Sequence, residues 1–360
     1  MAQQQITVLI VDDSAFMRKL ITDFLSGTNR IKIVGTARNG KEAIDKVKDL
    51  QPDVVTLDVE MPIMNGLDVL KWLMSEYPVP VVMLSSTTQE NAKNTVLAMQ
   101  YGAVDFIAKP SGAISLDLHK IKDDLIHKVI MASKANVRGT PANIRSKPAE
   151  TQSSPAYQSE WPTRQRNKMA RKIVCIGTST GGPRALQAVL TKLPSDFDAP
   201  ILIVQHMPAG FTKSLADRLN TLCAISVKEA EDGDVIQRGT AYIAPGGFHI
   251  TTKLVGTSVG IQLSSDPPRS GHRPSVDMMF ESVSMLKNYQ KVAVIMTGMG
   301  ADGAKGLNVL KSSGSTIAIA EAEASSVVFG MPKAAIATNL VDEVVHLDKI
   351  SNAILKHVHG

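Results

Sequence analysis

The sequence is poor in cysteine and contains no long apolar run. Its two cysteines are Cys175, within a short apolar segment, and Cys223, after a helical segment. They have no metal-ligand spacing and suggest no disulfide framework, so we expect core residues rather than a metal centre or a disulfide-stapled secreted domain. No segment approaches the ~18 apolar residues that a membrane-spanning helix needs.

The N-terminal sequence MAQQQ lacks the basic region of a secretory signal, and the apolar stretch that follows it at 6–11 is too short for a signal core. We therefore expect a cytoplasmic protein that does not insert directly into a membrane. The length of 360 residues and the apolar content of 44% predict two globular domains of ordinary composition.

A basic surface for nucleic acid is missing from most of the chain. The net charge is +5, but nine Lys and Arg against two acidic residues fall between 134 and 172, which leaves the remainder acidic. That segment is rich in Pro, Ser, Gln and Asn and has no apolar period, as is typical of a flexible linker. We expect residues 132–170 to join domains at 1–131 and 171–360, with no nucleic-acid partner, and we expect a monomer.

The first domain alternates short apolar runs with helical patterns. Five runs have the composition of buried strands, at 6–11, 31–36, 53–57, 80–84 and 103–107. Between them, apolar residues recur at helical spacing, as in Phe16, Leu20, Ile21 and Phe24. This alternation predicts an α/β fold with a doubly wound parallel sheet, whose ligand site lies at the carboxyl ends of the strands.

Polar residues follow these strands where that edge of the sheet should lie. They are Asp12, Asp13, Asp58, Ser85 and Lys109. Three converging carboxylates would repel one another unless a cation neutralised them, and such a cluster suits Mg²⁺. Each aspartate could singly be a helix cap, but jointly with Lys109, whose charge suits an incoming phosphoryl group, they favour a functional site.

The second domain opens with the stretch KIVCIGTSTGGP at 172–183. An apolar run with β-branched residues turns into a helical pattern, and Ser179 lies in the turn between Gly177 and Gly181. G-x-S-x-G is the nucleophile-elbow pattern, in which glycines permit a tight turn that exposes the serine hydroxyl. On this pattern alone, a phosphate-binding loop or a purely structural turn is an equal alternative.

Two further apolar runs end near residues that could complete a catalytic triad with Ser179. ILIVQ is followed by His206, and KVAVIMT is followed within a few residues by Asp302. Parallel strands would deliver all three to one edge, where histidine takes the serine proton and aspartate orients the imidazole. His249, beside an apparent hairpin, and His272, in a turn-rich segment, compete for the role of base. Asp302 could instead cap the helix after it.

The first domain resembles a two-component receiver domain. The matching stretches are IVDDS, LDVEMPIMNGL and FIAKP. The resemblance implies a flavodoxin-like fold, Asp58 as the phospho-acceptor and a cis peptide bond between Lys109 and Pro110. The residues implied around Mg²⁺ are Asp12, Asp13 and Asp58. The implied residues of the phosphoryl switch are Ser85, Phe106 and Lys109.

The second domain resembles the catalytic domain of the CheB family of chemotaxis protein-glutamate methylesterases. The matching stretches are GTSTGGP, QHMP, SGHRPSVD and MTGMGADG, and the order of receiver, linker and catalytic domain also matches. We expect a Rossmann-like α/β fold with an antiparallel hairpin at 250–263. The resemblance implies Ser179 as the nucleophile, His206 as the general base and Asp302 as its orienting partner. The implied oxyanion donors are the backbone N–H groups of Met299 and Thr180.

Together the resemblances imply a phosphorylation-regulated serine esterase that demethylates glutamate methyl esters, and deamidates glutamines, on chemotaxis receptors. A chemotaxis histidine kinase would be the phosphodonor, and the esterase reaction would need no cofactor. One rival is a receiver fused to a nucleotide-binding α/β module without hydrolytic activity. Another is a transcription regulator, although the sequence has no helix-turn-helix and no basic recognition helix.

Overall fold

The computed structural model describes residues 5–86, 88–109, 116–135, 137 and 171–359, and the side chains of 116–120 are not described. Most of the predicted linker, 132–170, lies outside the described residues, and so does Pro110 with its predicted cis bond to Lys109. Among the described helices, none is long and apolar enough to cross a lipid bilayer.

The first domain is a five-stranded parallel sheet with helices on both faces. Its strands are β1 (Ile6–Val11), β2 (Ile31–Ala37), β3 (Val54–Asp58), β4 (Val81–Ser85) and β5 (Asp105–Ala108). Its helices are α1 (Ala15–Leu25), α2 (Gly40–Leu50), α3 (Gly66–Glu76), α4 (Gln89–Tyr101) and α5 (Leu116–Ala132). The strands lie in the order β2-β1-β3-β4-β5, which confirms the doubly wound sheet predicted from the alternation of patterns.

Local sequence explains where these elements begin. Four helices start after a residue whose side-chain oxygen accepts a hydrogen bond from a backbone N–H of the first turn: Ser14, Asn39, Asn65 and Thr88. All residues of β3 and β4 are buried, which accounts for their continuous apolar runs. The polar residues that end the strands are thereby held at one edge of the sheet.

The second domain is built on a seven-stranded sheet in which all neighbouring strands are parallel. Its first strands are β6 (Arg171–Thr178), β7 (Ile201–Gln205), β8 (Ser226–Glu229) and β9 (Thr240–Ile243). An antiparallel hairpin of β10 (His249–Val255) and β11 (Ser258–Ser264) follows, as predicted. The sheet is completed by β12 (Tyr289–Ile295), β13 (Thr316–Glu321) and β14 (Glu343–Val345). Its helices are α6 (Gly182–Leu190), α7 (Phe211–Asn220), α8 (Val276–Ser284), α9 (Ala304–Ser312), α10 (Met331–Ile336) and α11 (Leu347–His359).

The strand order of this sheet, β14-β13-β12-β6-β7-β9-β8, reverses direction next to β6. From β6 the chain moves outward on one side through β7, and it later returns to β12 on the other side. In open parallel sheets a ligand crevice forms outside the carboxyl ends of the strands at such a reversal. The residues after β6 and β12 are therefore placed at the expected site.

The two domains contact each other beside this crevice. Helix α4 of the first domain packs against α6 and α7 of the second. The Arg218 guanidinium donates a hydrogen bond to the Gln100 side-chain oxygen, at 3.2 Å. The rings of Phe106 and Phe211 lie 4.5 Å apart between their centroids. Helix α4 and strand β5 thus form the contact of the first domain with the second.

Candidate active site and acidic cluster

Ser179 lies in the turn that joins β6 to α6. Its backbone N–H donates to the carbonyl oxygen of Thr297, at 3.0 Å, and the Thr178 hydroxyl donates to the same oxygen, at 3.0 Å. Gly181 adopts a φ of 77°, and a Cβ at Gly182 would lie 1.9 Å from the Gln205 side-chain oxygen. The turn therefore requires both glycines, because one needs left-handed backbone and the other leaves no room for a side chain.

His206 and Asp302 meet directly in the crevice. The Nε2 atom of His206 lies 2.8 Å from an Asp302 carboxylate oxygen, and their side chains are 7% and 1% exposed. His206 follows β7, and Asp302 lies in the loop between β12 and α9. The other ring nitrogen, Nδ1, is buried and has no hydrogen-bond partner among the described residues. Nδ1 is therefore the nitrogen left to accept a proton, while Nε2 is held by the carboxylate.

The Asp302 carboxylate is held at the beginning of α8. It accepts hydrogen bonds from the Ser275 hydroxyl and from the backbone N–H groups of Val276 and Asp277, at 2.7–3.0 Å. Burial would raise the pKa of Asp302, but the hydrogen bonds from His206 and from these backbone groups lower it to about 2. The group is thus charged at neutral pH, and the positive end of the α8 dipole adds to its stabilisation.

Asp302 does not cap the helix that follows it, which was one alternative from the sequence. The N-cap position of α9 is Gly303, and its helix start is instead served by Asp277, whose carboxylate accepts from the N–H groups of Gly303 and Gly306. The two aspartates are therefore exchanged between the two helix starts. The Asp302 carboxylate binds the first N–H groups of α8, and the Asp277 carboxylate binds those of α9. Asp302 is thereby held beside His206.

The two histidines that competed with His206 occupy different places. His249 is fully buried at the start of β10, with Nε2 3.3 Å from the Pro267 carbonyl oxygen. The His272 ring is stacked on that of His206, with centroids 4.0 Å apart and an interplanar angle of 7°. Of the three, His206 is the one hydrogen-bonded to Asp302, and His272 supports its ring from one face.

The backbone around Ser179 offers two N–H groups suited to an oxyanion. Within the described part of the chain, the N–H groups of Thr180 and Met299 donate no hydrogen bond. Gly298 packs closely against the nucleophile, since a Cβ there would lie 2.8 Å from the Cβ of Ser179. The loop that carries Met299 is thus held against the turn that carries Ser179, as an oxyanion hole requires.

The first domain forms one wall of this site. A cavity of about 550 Å³ is lined by Ser179, His206 and Met299 on one side and by residues 105–108 and Lys128 on the other. The Thr180 hydroxyl donates to the Asp105 carboxylate across the domain boundary, at 2.5 Å. Any large substrate that approaches Ser179 therefore meets β5 and α5 of the first domain.

Three carboxylates cluster at the carboxyl edge of the first sheet. Asp12, Asp13 and Asp58 each place an oxygen within 4.8 Å of the others. The Lys109 ammonium lies 2.8 Å from a carboxylate oxygen of Asp12 and 2.8 Å from one of Asp58. Burial raises the pKa of Asp58 to about 6, although its hydrogen bond and ion pair with Lys109 oppose the rise. The cluster is thus a site of carboxylate oxygens whose negative charge is partly compensated by Lys109.

The remaining predicted switch residues lie between this cluster and the second domain. Ser85 is fully buried, and its hydroxyl accepts from the Thr95 hydroxyl of α4, at 2.7 Å. Phe106 is buried against Phe211, and the Lys128 ammonium lies 5.5 Å from its ring centroid. Phe106, on a strand two positions away from that of Asp58, therefore contacts the second domain directly.

Sequence reasoning missed three contributors to the site. Thr297 joins both sides of the Ser179 turn, Glu321 holds Thr297, and Lys128 reaches the cavity from the first domain. Thr297 and Glu321 end apolar strand patterns, so the rule that polar residues at strand ends mark a site could have found them. Lys128 gave no such signal, because its role depends on how the two domains pack.

Two family models match the chain. One described as CheB methylesterase matches residues 174–354, and one described as response regulator receiver domain matches residues 8–119. The protein-glutamate methylesterase/protein-glutamine glutaminase of Halalkalibacterium halodurans is 58% identical over 98% of this chain and 99% of that protein. The protein of the same name from Bacillus subtilis is 51% identical over 97% of this chain and 97% of that protein. The crystal structure of the Thermotoga maritima CheB methylesterase catalytic domain aligns with a TM-score of 0.51 and 43% identity, covering 53% of this chain and 100% of that chain.

His272 should make the folded protein sensitive to acid. Burial and the neighbouring His206 lower the pKa of His272 to about 4, whereas in the unfolded chain it takes up a proton near pH ~6.5. Between these values the unfolded state binds more protons, so the free energy of unfolding falls as pH falls from ~6.5 to ~4. His272→Gln should therefore lose less stability than the unmutated chain on acidification.

Urea midpoints measured at about pH 7 and about pH 5 test this, with His346→Gln, at a largely exposed histidine, as the control. The midpoint of His272→Gln should shift less between the two pH values than the midpoints of the unmutated chain and of the control. Equal shifts in all three would mean that His272 is protonated in the folded state, contrary to this account.

Proposed function

The chain belongs to the CheB methylesterase family and carries a response regulator receiver domain, and on that premise we propose that it is a phosphorylation-controlled serine esterase. Its substrates are methyl esters of glutamate side chains on chemotaxis receptors. Glutamine side chains of the same receptors are a second substrate, which is deamidated. The observation that carries the proposal is that Ser179 lines the same cavity as His206, which is hydrogen-bonded to Asp302.

In the proposed reaction, the Ser179 hydroxyl attacks the ester carbonyl carbon while His206 Nδ1 takes its proton. Asp302 remains ionised throughout and stabilises the imidazolium from the Nε2 side. The oxyanion of the tetrahedral intermediate is stabilised by the free N–H groups of Met299 and Thr180. Collapse expels methanol, which takes the proton from His206, and leaves the glutamyl group as an ester on Ser179.

Hydrolysis of this ester repeats the sequence with water in place of serine. His206 Nδ1 accepts a proton from the water as it attacks the acyl carbon, and returns it to Ser179 as the acyl–oxygen bond breaks. The product is a glutamate carboxylate. For a glutamine substrate the first leaving group is ammonia instead of methanol, and the remaining steps are the same. No cofactor is required for either reaction.

We assign residues 1–131 to the receiver domain, 132–170 to a linker and 171–360 to the catalytic domain. Asp58 is the phospho-acceptor, with a chemotaxis histidine kinase as the phosphodonor. The oxygen donors of Asp12, Asp13 and Asp58 fit Mg²⁺, which prefers such ligands and supplies charge neutralisation for phosphoryl oxygens. Lys109 forms an ion pair with the phosphoryl group in this proposal, and Ser85 donates its hydroxyl to it.

The contact between the domains gives the receiver a means of control. The receiver wall of the cavity restricts access of a receptor helix to Ser179, and Phe106 connects Asp58's sheet to Phe211 of the catalytic domain. Phosphorylation acts by favouring a conformation that interacts with the catalytic domain differently. The proposed setting is a cytoplasmic monomer acting on membrane receptors without entering the membrane itself.

Replacing triad residues should stop methanol release without unfolding the protein. Ser179→Ala and His206→Ala should each lower kcat by about 10⁴-fold or more, because attack and proton transfer are both lost. Asp302→Asn should keep more activity, since substrate binding and the oxyanion donors survive. The measurement is methanol released from methylated receptor, with circular dichroism confirming the fold.

His249→Ala is the matched control, since His249 is buried in the same domain and lies away from the cavity lining. Its activity per folded molecule should stay within about threefold of the unmutated chain. Near-normal turnover by Ser179→Ala would rule out the nucleophile assignment. A loss confined to His249→Ala would transfer the role of base to that residue.

Removing the receiver should raise the basal activity. A fragment from 168 to 360 leaves the cavity open on the receiver side, so its initial rate should exceed that of the intact, unphosphorylated chain. A phosphodonor should accelerate the intact chain, leave the fragment unchanged, and have no effect on Asp58→Asn. A fragment slower than the unphosphorylated chain would mean that the receiver activates or docks rather than covers the site.

A further inference from the structure

Glu321 is a buried carboxylate that the proposed reaction does not use. It is the last residue of β13, and it is fully buried at the carboxyl edge of the sheet. One carboxylate oxygen accepts from the backbone N–H of Thr297, at 2.7 Å, and the other accepts from the Ser325 hydroxyl, at 3.0 Å. Removing a carboxylate from water is costly, so a carboxylate buried at this position indicates a role for its hydrogen bonds.

The partner of Glu321 is the residue that ties the nucleophile turn to the neighbouring strand. The carbonyl oxygen of Thr297 accepts from the N–H of Ser179, at 3.0 Å, and its hydroxyl donates to the carbonyl oxygen of Thr180, at 2.9 Å. The same hydroxyl accepts from the N–H of Val328, at 3.0 Å. The backbone N–H of Thr297 is therefore held by Glu321, and its other polar atoms hold the turn.

The loop that carries Met299, the proposed oxyanion donor, follows Thr297 directly and is fixed by hydrogen bonds. Gly298 is bonded on both of its backbone groups, donating to Val328 and accepting from Gly330 and Met331. Met299, with its free N–H, is the next residue. A shift of Thr297 would therefore move the proposed oxyanion donor and release the anchor of Ser179 in the same step.

The surroundings of Glu321 keep it apart from the substrate cavity. It faces a separate cavity of about 200 Å³, whose lining includes Arg184 of α6 and the residues His346 and Asp348 beside the start of α11. Burial raises the pKa of Glu321 to about 7, opposed by the hydrogen bonds from Thr297 and Ser325. Glu321 does not line the cavity of Ser179, and it is connected to that cavity by its hydrogen bond with Thr297.

We propose that Glu321 is a positioning residue for the esterase reaction, which fixes Thr297 and thereby the spacing between Ser179 and the N–H of Met299. The inference rests on the proposed function of this site. Its effect should fall on kcat rather than KM, because Glu321 contacts no substrate. Misplacement of reacting groups by about 1 Å can cost about 100-fold in rate.

The test compares three variants of the full-length, phosphorylated protein by methanol release from methylated receptor. Glu321→Ala should lower kcat by about 10- to 100-fold and change KM by less than about threefold. Glu321→Gln should retain most of kcat, since its amide oxygen still accepts from Thr297 and its NH₂ group donates to Ser325. Ile319→Ala, two residues earlier in the buried strand β13, is the control for lost packing.

Ile319→Ala should lower the melting temperature and leave kcat per folded molecule within about twofold of the unmutated chain. Equal losses of kcat in Ile319→Ala and Glu321→Ala would overturn the inference, because they would reflect a weakened strand alone. Unchanged kcat in Glu321→Ala would overturn it as well. If Glu321→Ala does not fold, Glu321→Asp replaces it, with a kcat loss of about fivefold or more expected and an unchanged kcat counting against the inference.

A second readout separates this inference from the proposed function. A fluorophosphonate probe labels an activated serine whatever the natural substrate, so its rate of reaction with Ser179 reports the geometry alone. Labelling should be slowed in Glu321→Ala and not in Ile319→Ala. A chain that labels at Ser179 but releases no methanol from methylated receptor would disprove the substrate assignment, and the labelling rates would then decide the role of Glu321.

Discussion

The buried negative charge of Asp302 is the feature on which the rest of the active site depends. A carboxylate with a 1% exposed side chain keeps its charge because His206, two backbone N–H groups of α8 and the Ser275 hydroxyl donate hydrogen bonds to it. That charge fixes the His206 ring through Nε2 and leaves Nδ1 to accept a proton. The exchange of capping roles between Asp302 and Asp277 is what leaves Asp302 beside the imidazole.

The receiver lies against the same edge of the catalytic sheet, where the site residues are. Parallel strands place Ser179, His206 and Asp302 at one mouth, and β5 and α5 of the receiver form the opposite wall. The contacts of Thr180 with Asp105 and of Phe106 with Phe211 join the two domains beside Ser179, so a change of conformation at β5 of the receiver would alter them. Phe106, which we propose as the aromatic switch residue, is itself part of this interface.

Much of the architecture could be predicted from local patterns. Alternating apolar runs and helical spacing predicted the sheet of the first domain, and three apolar runs predicted strands of the second. Polar residues at strand ends made Asp58, Ser179 and His206 candidate site residues. These signals are local because a strand buried on both faces and a tight glycine turn each need particular residues in sequence.

Other features depend on distant packing and left little trace in the sequence. The role of Asp302 depended on whether it capped its own helix or another, which spacing could not decide. His272 stacks on His206 from the segment between β11 and α8, which is distant in the sequence, so its sequence context suggested only a competing base. Lys128 and Phe106 gain their places in the cavity from the contact between domains.

The central claim is that Ser179 forms a covalent glutamyl intermediate in a site that the receiver covers. Acid quenching of the full-length protein during turnover of methylated receptor, followed by mass spectrometry, measures this directly. The account predicts a glutamyl ester on Ser179, formed faster after phosphorylation of Asp58 and not accelerated by phosphodonor in Asp58→Asn. Methanol release with no adduct on Ser179, or an adduct whose rate of formation does not depend on phosphorylation, would contradict it.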